Sequence, residues 1–138
     1  MIVSDLAALR DDVNRTIASP DLEIIEAASG PECLALLKEH DVDLVILDCQ
    51  IGAMGAMAIC LELRHEESYG AMEHKAVLMM LDRRPDVFLA RRSGAEGWVV
   101  KPLDPQRLRR AVRALLHGER FEDDAWRPVT VRVAVPAE

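Results

Sequence analysis

The feature that most constrains this chain is a fivefold alternation between short apolar runs and stretches of helical periodicity. The clearest run is Asp43-Leu-Val-Ile-Leu-Asp48, uninterrupted and closing on an acid. Such a run suits a strand buried on both faces of a parallel sheet. Met1-Ile-Val, Leu22 to Ala27, Ala76-Val-Leu-Met-Met-Leu81 and Gly97-Trp-Val-Val100 supply four more strand candidates. Between them, Leu6, Leu9, Val13 and Ile17 recur at helical spacing, which predicts a helix over 6–18 with Pro20 beyond its end. Ser29-Gly-Pro-Glu32 is a capping-box pattern with Pro31 at the first helical position, leading into Leu34, Leu36 and Leu37. Residues 56–67 return to helical spacing through Met57, Ile59, Cys60, Leu61 and Leu63, and the polar stretch Glu66 to Lys75 is expected to be a loop. A short helix is expected from Arg84 to Ser93, with Pro85 near its start and Gly94 at its end. Asp104 caps, Pro105 opens and Gly118 closes the last helix.

Strands alternating with helices predict an α/β fold, a doubly wound parallel sheet with helices on both faces. In that architecture ligands sit outside the carboxyl ends of the strands. Asp5, Asp48, Asp82 and Lys101 all follow or end a predicted strand and are the residues to follow. At 138 residues the chain has room for one core. No apolar run approaches the ~20 residues of a bilayer span, and the start lacks a signal-peptide pattern. Cys33, Cys49 and Cys60 have no close pairing, so a reduced, cytoplasmic protein is expected, with the thiols as apolar fillers. Met54, Met57, Met79 and Met80 are expected to be packing or loop residues, and the four histidines form no metal-ligand spacing.

Charge is unevenly spread. Residues 1–82 hold 5 basic and 16 acidic side chains (−11), residues 83–120 hold 10 and 4 (+6), and the last 18 hold 2 and 4 (−2), giving −7 in all. A general affinity for nucleic acid is not expected from that balance, whereas a local basic surface is.

Asp5, Asp48 and Lys101 stand at the spacing of the response-regulator receiver family. Leu44-Val-Ile-Leu-Asp48 resembles its acceptor strand, and Gly94-Ala-Glu-Gly-Trp-Val-Val-Lys-Pro102 its run into the fifth strand and Lys-Pro. The resemblance spans residues 1–118 and implies a flavodoxin-like five-stranded sheet in the order 2-1-3-4-5, with 119–138 as a tail. It implies that Asp48 accepts a phosphoryl group from a histidine kinase or phosphotransfer protein. It also implies Mg²⁺ held by Asp5, Asp48 and the Gln50 backbone carbonyl, Lys101 on a phosphoryl oxygen, and a cis bond before Pro102. Output is expected through the face of the fourth helix, fifth strand and fifth helix. Arg83, Arg84, Arg91, Arg92, Arg107, Arg109, Arg110 and Arg113 are assigned to that face. They can pair locally or dock an acidic protein partner or a homodimer mate. A nucleic-acid ligand within this chain is the least favoured, and no enzyme motif is visible.

Four positions depart from the family pattern. Ser4 replaces the first of two adjacent acids. Leu81 replaces the switch hydroxyl of the fourth strand. Asp82 replaces a small residue and is open to two readings: a carboxylate at the pocket mouth, pairing with Lys101 or Arg83 and repelling an incoming phosphoryl group, or a helix N-cap. Trp98 fills the aromatic switch position. Gly52 also stands where a proline is common. These departures imply an atypical receiver and leave a second reading, a phosphorylation-independent pseudo-receiver acting as a binding or dimerisation module. In the tail, Glu122-Asp-Asp124 is expected to be a polar link and 129–135 an extra strand or part of a linker.

Overall fold

The computed structural model describes residues 1–50 and 55–123. Gly52, Met54 and the 129–135 segment lie outside the described residues. In chain order the elements are β1 (Ile2–Val3), α1 (Ala7–Ile17), β2 (Glu26–Ala27), α2 (Gly30–Glu39), β3 (Leu44–Asp48), α3 (Ala56–Ser68) and β4 (Ala76–Leu81). A 3₁₀ turn (Arg84–Asp86) then leads into α4 (Val87–Ser93), β5 (Gly97–Val100), α5 (Pro105–Leu116) and β6 (Phe121–Glu122). All strand pairings are parallel, and the order is β2-β1-β3-β4-β5-β6.

The expected doubly wound architecture and the order 2-1-3-4-5 are present, with one correction. The sheet has six strands, because Phe121–Glu122 pairs with β5. Burial explains why the central strands carry no polar alternation. Successive side chains of a strand point to opposite faces. Val45 and Leu47 join a core with α2, α3 and α4, while Leu44 and Ile46 join one with α1 and α5. Met79 and Met80 divide the same way, as packing residues. All three cysteines are free, and burial pushes the Cys33 thiol up to about 11.

Capping follows local chemistry. The Ser29 hydroxyl accepts from the Glu32 amide, and Glu32 reaches back to the Ala28 amide. The Asp104 carboxylate accepts from the Gln106 amide ahead of α5. Gly94 ends α4 at φ 80°, a left-handed conformation that glycine adopts without steric cost. β2 is shorter than the apolar stretch 22–27 suggested, with only Glu26 and Ala27 in the ladder. α3 runs through Ser68 into the stretch expected to be loop.

Candidate functional site

Because the strands are parallel, their carboxyl ends share one edge of the sheet, and the register brings the predicted residues there. Asp48 ends β3 opposite Met80 of β4. The Cys49 amide then bonds the Met80 carbonyl, and the Lys101 amide bonds the Leu81 carbonyl. Those bonds hold the residues after β3, β4 and β5 side by side. The Lys101–Pro102 peptide bond is cis.

Asp48 is fully buried, and both of its oxygens are engaged. Oδ1 accepts from Lys101 Nζ at 2.7 Å and from the Gln50 amide at 3.2 Å. Oδ2 accepts from the Ser4 hydroxyl at 2.7 Å. Ser4 is itself fixed, since its Oγ accepts from the Leu6 amide and its carbonyl accepts from Arg10 at 2.6 Å. A hydroxyl thus stands where a second acid would otherwise repel Asp48. Asp5 follows on the exposed side of the same turn.

Lys101 is shared. Its ammonium donates to Asp48 and, at 3.0 Å, to Asp82 Oδ1. Desolvation works against its charge, but the hydrogen bonds and attraction of the two carboxylates outweigh that and raise its pKa. Asp82 Oδ2 is buried without a hydrogen-bond partner among the described residues. Of the two readings open for Asp82, the pairing with Lys101 is the one seen. The turn into α4 is capped instead by Asp86, whose carboxylate accepts from the Arg83 amide and the Arg83 guanidinium. The pocket's negative character reaches Cys49, whose thiol pKa is raised by burial first and then by Asp86, Asp82 and Asp48.

Leu81 and Trp98 are both fully buried beneath this edge. Leucine offers no donor to an oxyanion. The Trp98 indole has the Arg91 guanidinium 5.3 Å from its ring centroid, within cation–π range.

The oxygen donors suit a small hard cation, which takes carboxylates and carbonyls and keeps several waters. Among the described residues no three His, Cys, Asp or Glu side chains gather into a metal cluster. The ligand set expected from the sequence, the Asp5 and Asp48 carboxylates and the Gln50 carbonyl, would be a sparse one for such a cation. The orphaned Asp82 oxygen adds to the local demand for positive charge.

The arginines do not form one free surface. Arg83 pairs with Asp86, Arg91 with Glu122 at 3.7 Å, and Arg107 with Asp123 at 3.2 Å. Arg84, Arg92, Arg110 and Arg113 are exposed. Arg109 does not belong with the expected face. It bonds the Thr16 carbonyl and lines the groove between α1 and α5, because two residues along a helix is a turn of about 200° from Arg107. The Ser4–Asp48 bond was visible in sequence only as a missing acid. The buried Asp123, followed by Asp124 in a polar stretch, carried no signal.

Comparisons with known proteins agree with this fold. The family model for the response regulator receiver domain matches residues 1–113. The nitrate/nitrite response regulator protein NarL of Escherichia coli is 28% identical over 131 residues, covering 94% of this chain and 59% of its own length. A response regulatory protein of Mycobacterium tuberculosis is 32% identical over 124 residues, covering 86% of this chain and 90% of its own. This chain thus spans only 59% of NarL and 47% of the E. coli aerobic respiration control protein ArcA. The structure of Vibrio cholerae chemotaxis protein CheY4 superposes with TM-score 0.72 at 25% identity, over 83% of this chain and 94% of that one. A LuxR family DNA-binding response regulator from Silicibacter pomeroyi gives TM-score 0.71 at 27% identity, over 87% and 92%.

Proposed function

This chain belongs to the response-regulator receiver family, and from that membership we propose that it accepts a phosphoryl group on Asp48 in two-component signalling. The observation that carries the reading is the buried Asp48 carboxylate held between Lys101, the Gln50 amide and Ser4 at the carboxyl edge of the sheet. An Asp48 oxygen attacks the phosphorus of a phosphohistidine donor. The bond from phosphorus to the histidine nitrogen breaks, that nitrogen keeps the electron pair, and an acyl phosphate remains on Asp48. Catalysis of such a transfer is positioning plus charge stabilisation. Asp5, Asp48 and the Gln50 carbonyl would hold Mg²⁺, which would supply positive charge against the transferring oxygens. Lys101 supplies the other positive charge once its bond to Asp48 gives way to a phosphoryl oxygen. The domain then acts as a signalling module and not as an enzyme with turnover on a free substrate.

Asp82 sets the terms of that reaction. It holds one of the three ammonium protons of Lys101 and adds a negative charge beside the acceptor. Leu81 removes the hydroxyl readout, and Trp98 is already packed inward. The receiver is therefore atypical in its switch. The name of the Silicibacter relative favours a DNA-regulating output lying outside residues 1–123. Beryllofluoride with Mg²⁺, followed by Trp98 fluorescence in a Trp126→Phe background, tests the reading. A saturable change that disappears in Asp48→Asn is expected. No change in folded protein overturns the reading and leaves the pseudo-receiver.

A further inference from the structure

Ser4 and Asp48 are both fully buried, and the hydroxyl of one meets an oxygen of the other at 2.7 Å. The surroundings settle the direction of that bond. A hydroxyl has one proton to give, and an ionised carboxylate has none. The Leu6 amide already donates to Ser4 Oγ at 3.1 Å, so the Ser4 proton lies toward Asp48 Oδ2. The backbone of Ser4 is held on both sides. Its amide donates to the Ala27 carbonyl at 3.1 Å. Its carbonyl accepts from Arg10 at 2.6 Å, and Arg10 in turn faces Glu26 at 3.5 Å. The other oxygen of Asp48, Oδ1, accepts from Lys101 and from the Gln50 amide. The two oxygens thus have unlike donors. Oδ1 is held by an ammonium that must leave for a phosphoryl oxygen, and Oδ2 by a neutral hydroxyl that stays.

That asymmetry matters for the lifetime of the product, on the reading that Asp48 is the acceptor. A phosphoryl group that takes over Lys101 arrives on the Oδ1 side. Oδ1 then bonds phosphorus, and Oδ2 becomes the carbonyl oxygen of the acyl phosphate. In hydrolysis the oxygen of a water attacks phosphorus and the bond from phosphorus to Oδ1 breaks. Asp48 keeps the electron pair as a carboxylate, and both water protons leave with inorganic phosphate. A donor on Oδ2 binds the carboxylate more strongly than the neutral carbonyl, because hydrogen bonds to ionised acceptors are roughly twice as strong. Phosphoryl transfer passes through a loose transition state, so the leaving carboxylate already carries much of its charge at the barrier and the donor lowers that barrier. We propose that Ser4 is a positioning residue that shortens the life of the acyl phosphate on Asp48, by holding Oδ2 in place to carry the returning charge. An ionised carboxylate at position 4 has no proton to donate and cannot act in this way.

The test loads the full chain from acetyl phosphate with Mg²⁺, removes the acetyl phosphate, and follows loss of the phosphoryl group by intact mass. It compares the wild type with Ser4→Ala and Ser4→Thr, each shown to be folded by urea unfolding. Decay about tenfold slower in Ser4→Ala is expected, which corresponds to ~1.4 kcal/mol of barrier. Ser4→Thr keeps the hydroxyl and should decay at close to the wild-type rate. Infrared spectra with isotope-labelled aspartate carboxyls give a readout that a merely structural role would not move. The acyl phosphate carbonyl should stretch at lower wavenumber in the wild type, where Ser4 bonds it, than in Ser4→Ala. Where alanine unfolds the chain, Ser4→Cys replaces it, since a thiol is only a weak donor, and the same directions are expected. Equal or faster decay without the hydroxyl, a threonine variant that behaves like alanine, or an unmoved carbonyl band would each overturn the proposal while leaving Asp48 the acceptor. Folded chains that gain no phosphoryl group at all would overturn the acceptor reading, and this proposal with it.

Discussion

Lys101 carries one ammonium for two carboxylates, and that ratio governs the chemistry at residue scale. Its folded pKa lies above the 10.5 of a free lysine. A raised pKa in a cation means that the charged form is favoured by folding. The stabilisation is fully present below pH 10.5 and is lost as pH rises through the folded pKa. Lys101→Met should therefore lose about 2–3 kcal/mol at pH 8, because Asp48 stays buried with only Ser4 and the Gln50 amide. Urea unfolding at pH 8 and again above the folded pKa checks this, and the gap between the two proteins should shrink at the higher pH. A gap independent of pH would mean that the ammonium charge is not what Asp48 needs. Asp82→Asn should raise the rate of phosphoryl uptake from acetyl phosphate about tenfold, corresponding to ~1.4 kcal/mol of barrier. A charge at ~5 Å and an effective dielectric near 20 is worth up to roughly 3 kcal/mol before solvent screening. A lowered rate in Asp82→Asn would show that Asp82 assists the site, and an unchanged rate that its charge does not govern the transfer. The residue types at this edge were legible in sequence, since strand ends place them. Their partners were not. Whether Asp82 would meet Lys101 or cap a helix depends on rotamers and on Asp86 taking the cap.

Elements were legible in proportion to how their burial marks the sequence. β3 and β4 are buried on both faces and appear as unbroken apolar runs. α5 shows its caps and its apolar stripe of Leu108, Ala111, Val112 and Leu115. β6 left no such mark. Two residues cannot show a period, and its pairing comes from the Gly97 notch and two arginines distant in sequence. Gly97→Ala tests how firmly that strand is built in. The methyl group meets the Phe121 backbone oxygen as well as the Leu115 side-chain tip, so about 1–3 kcal/mol of stability should be lost. Exchange at Phe121 should accelerate along with it. Denaturant unfolding combined with hydrogen exchange measures both, and full retention of stability and protection would mean that β6 is not seated against Gly97 as described.

For the whole molecule, the two cores on either side of the sheet and the order of five strands follow from the alternation of runs and helical stretches. The sixth strand and the linkage it makes between α4 and α5 do not. The site sits at one sheet edge and the arginine-flanked strand on another, joined through Lys101 at the end of β5 and Trp98 within it. No helix among the described residues is long and apolar enough to cross a membrane. The most direct test is intact mass after incubation with Mg²⁺ and acetyl phosphate, for the wild-type chain and for Asp48→Asn. One phosphoryl group on the wild type, dependent on Mg²⁺ and absent from Asp48→Asn, is the predicted result. A folded wild-type chain that gains no phosphoryl group under these conditions, or a mutant that gains one equally, would contradict Asp48 as the acceptor.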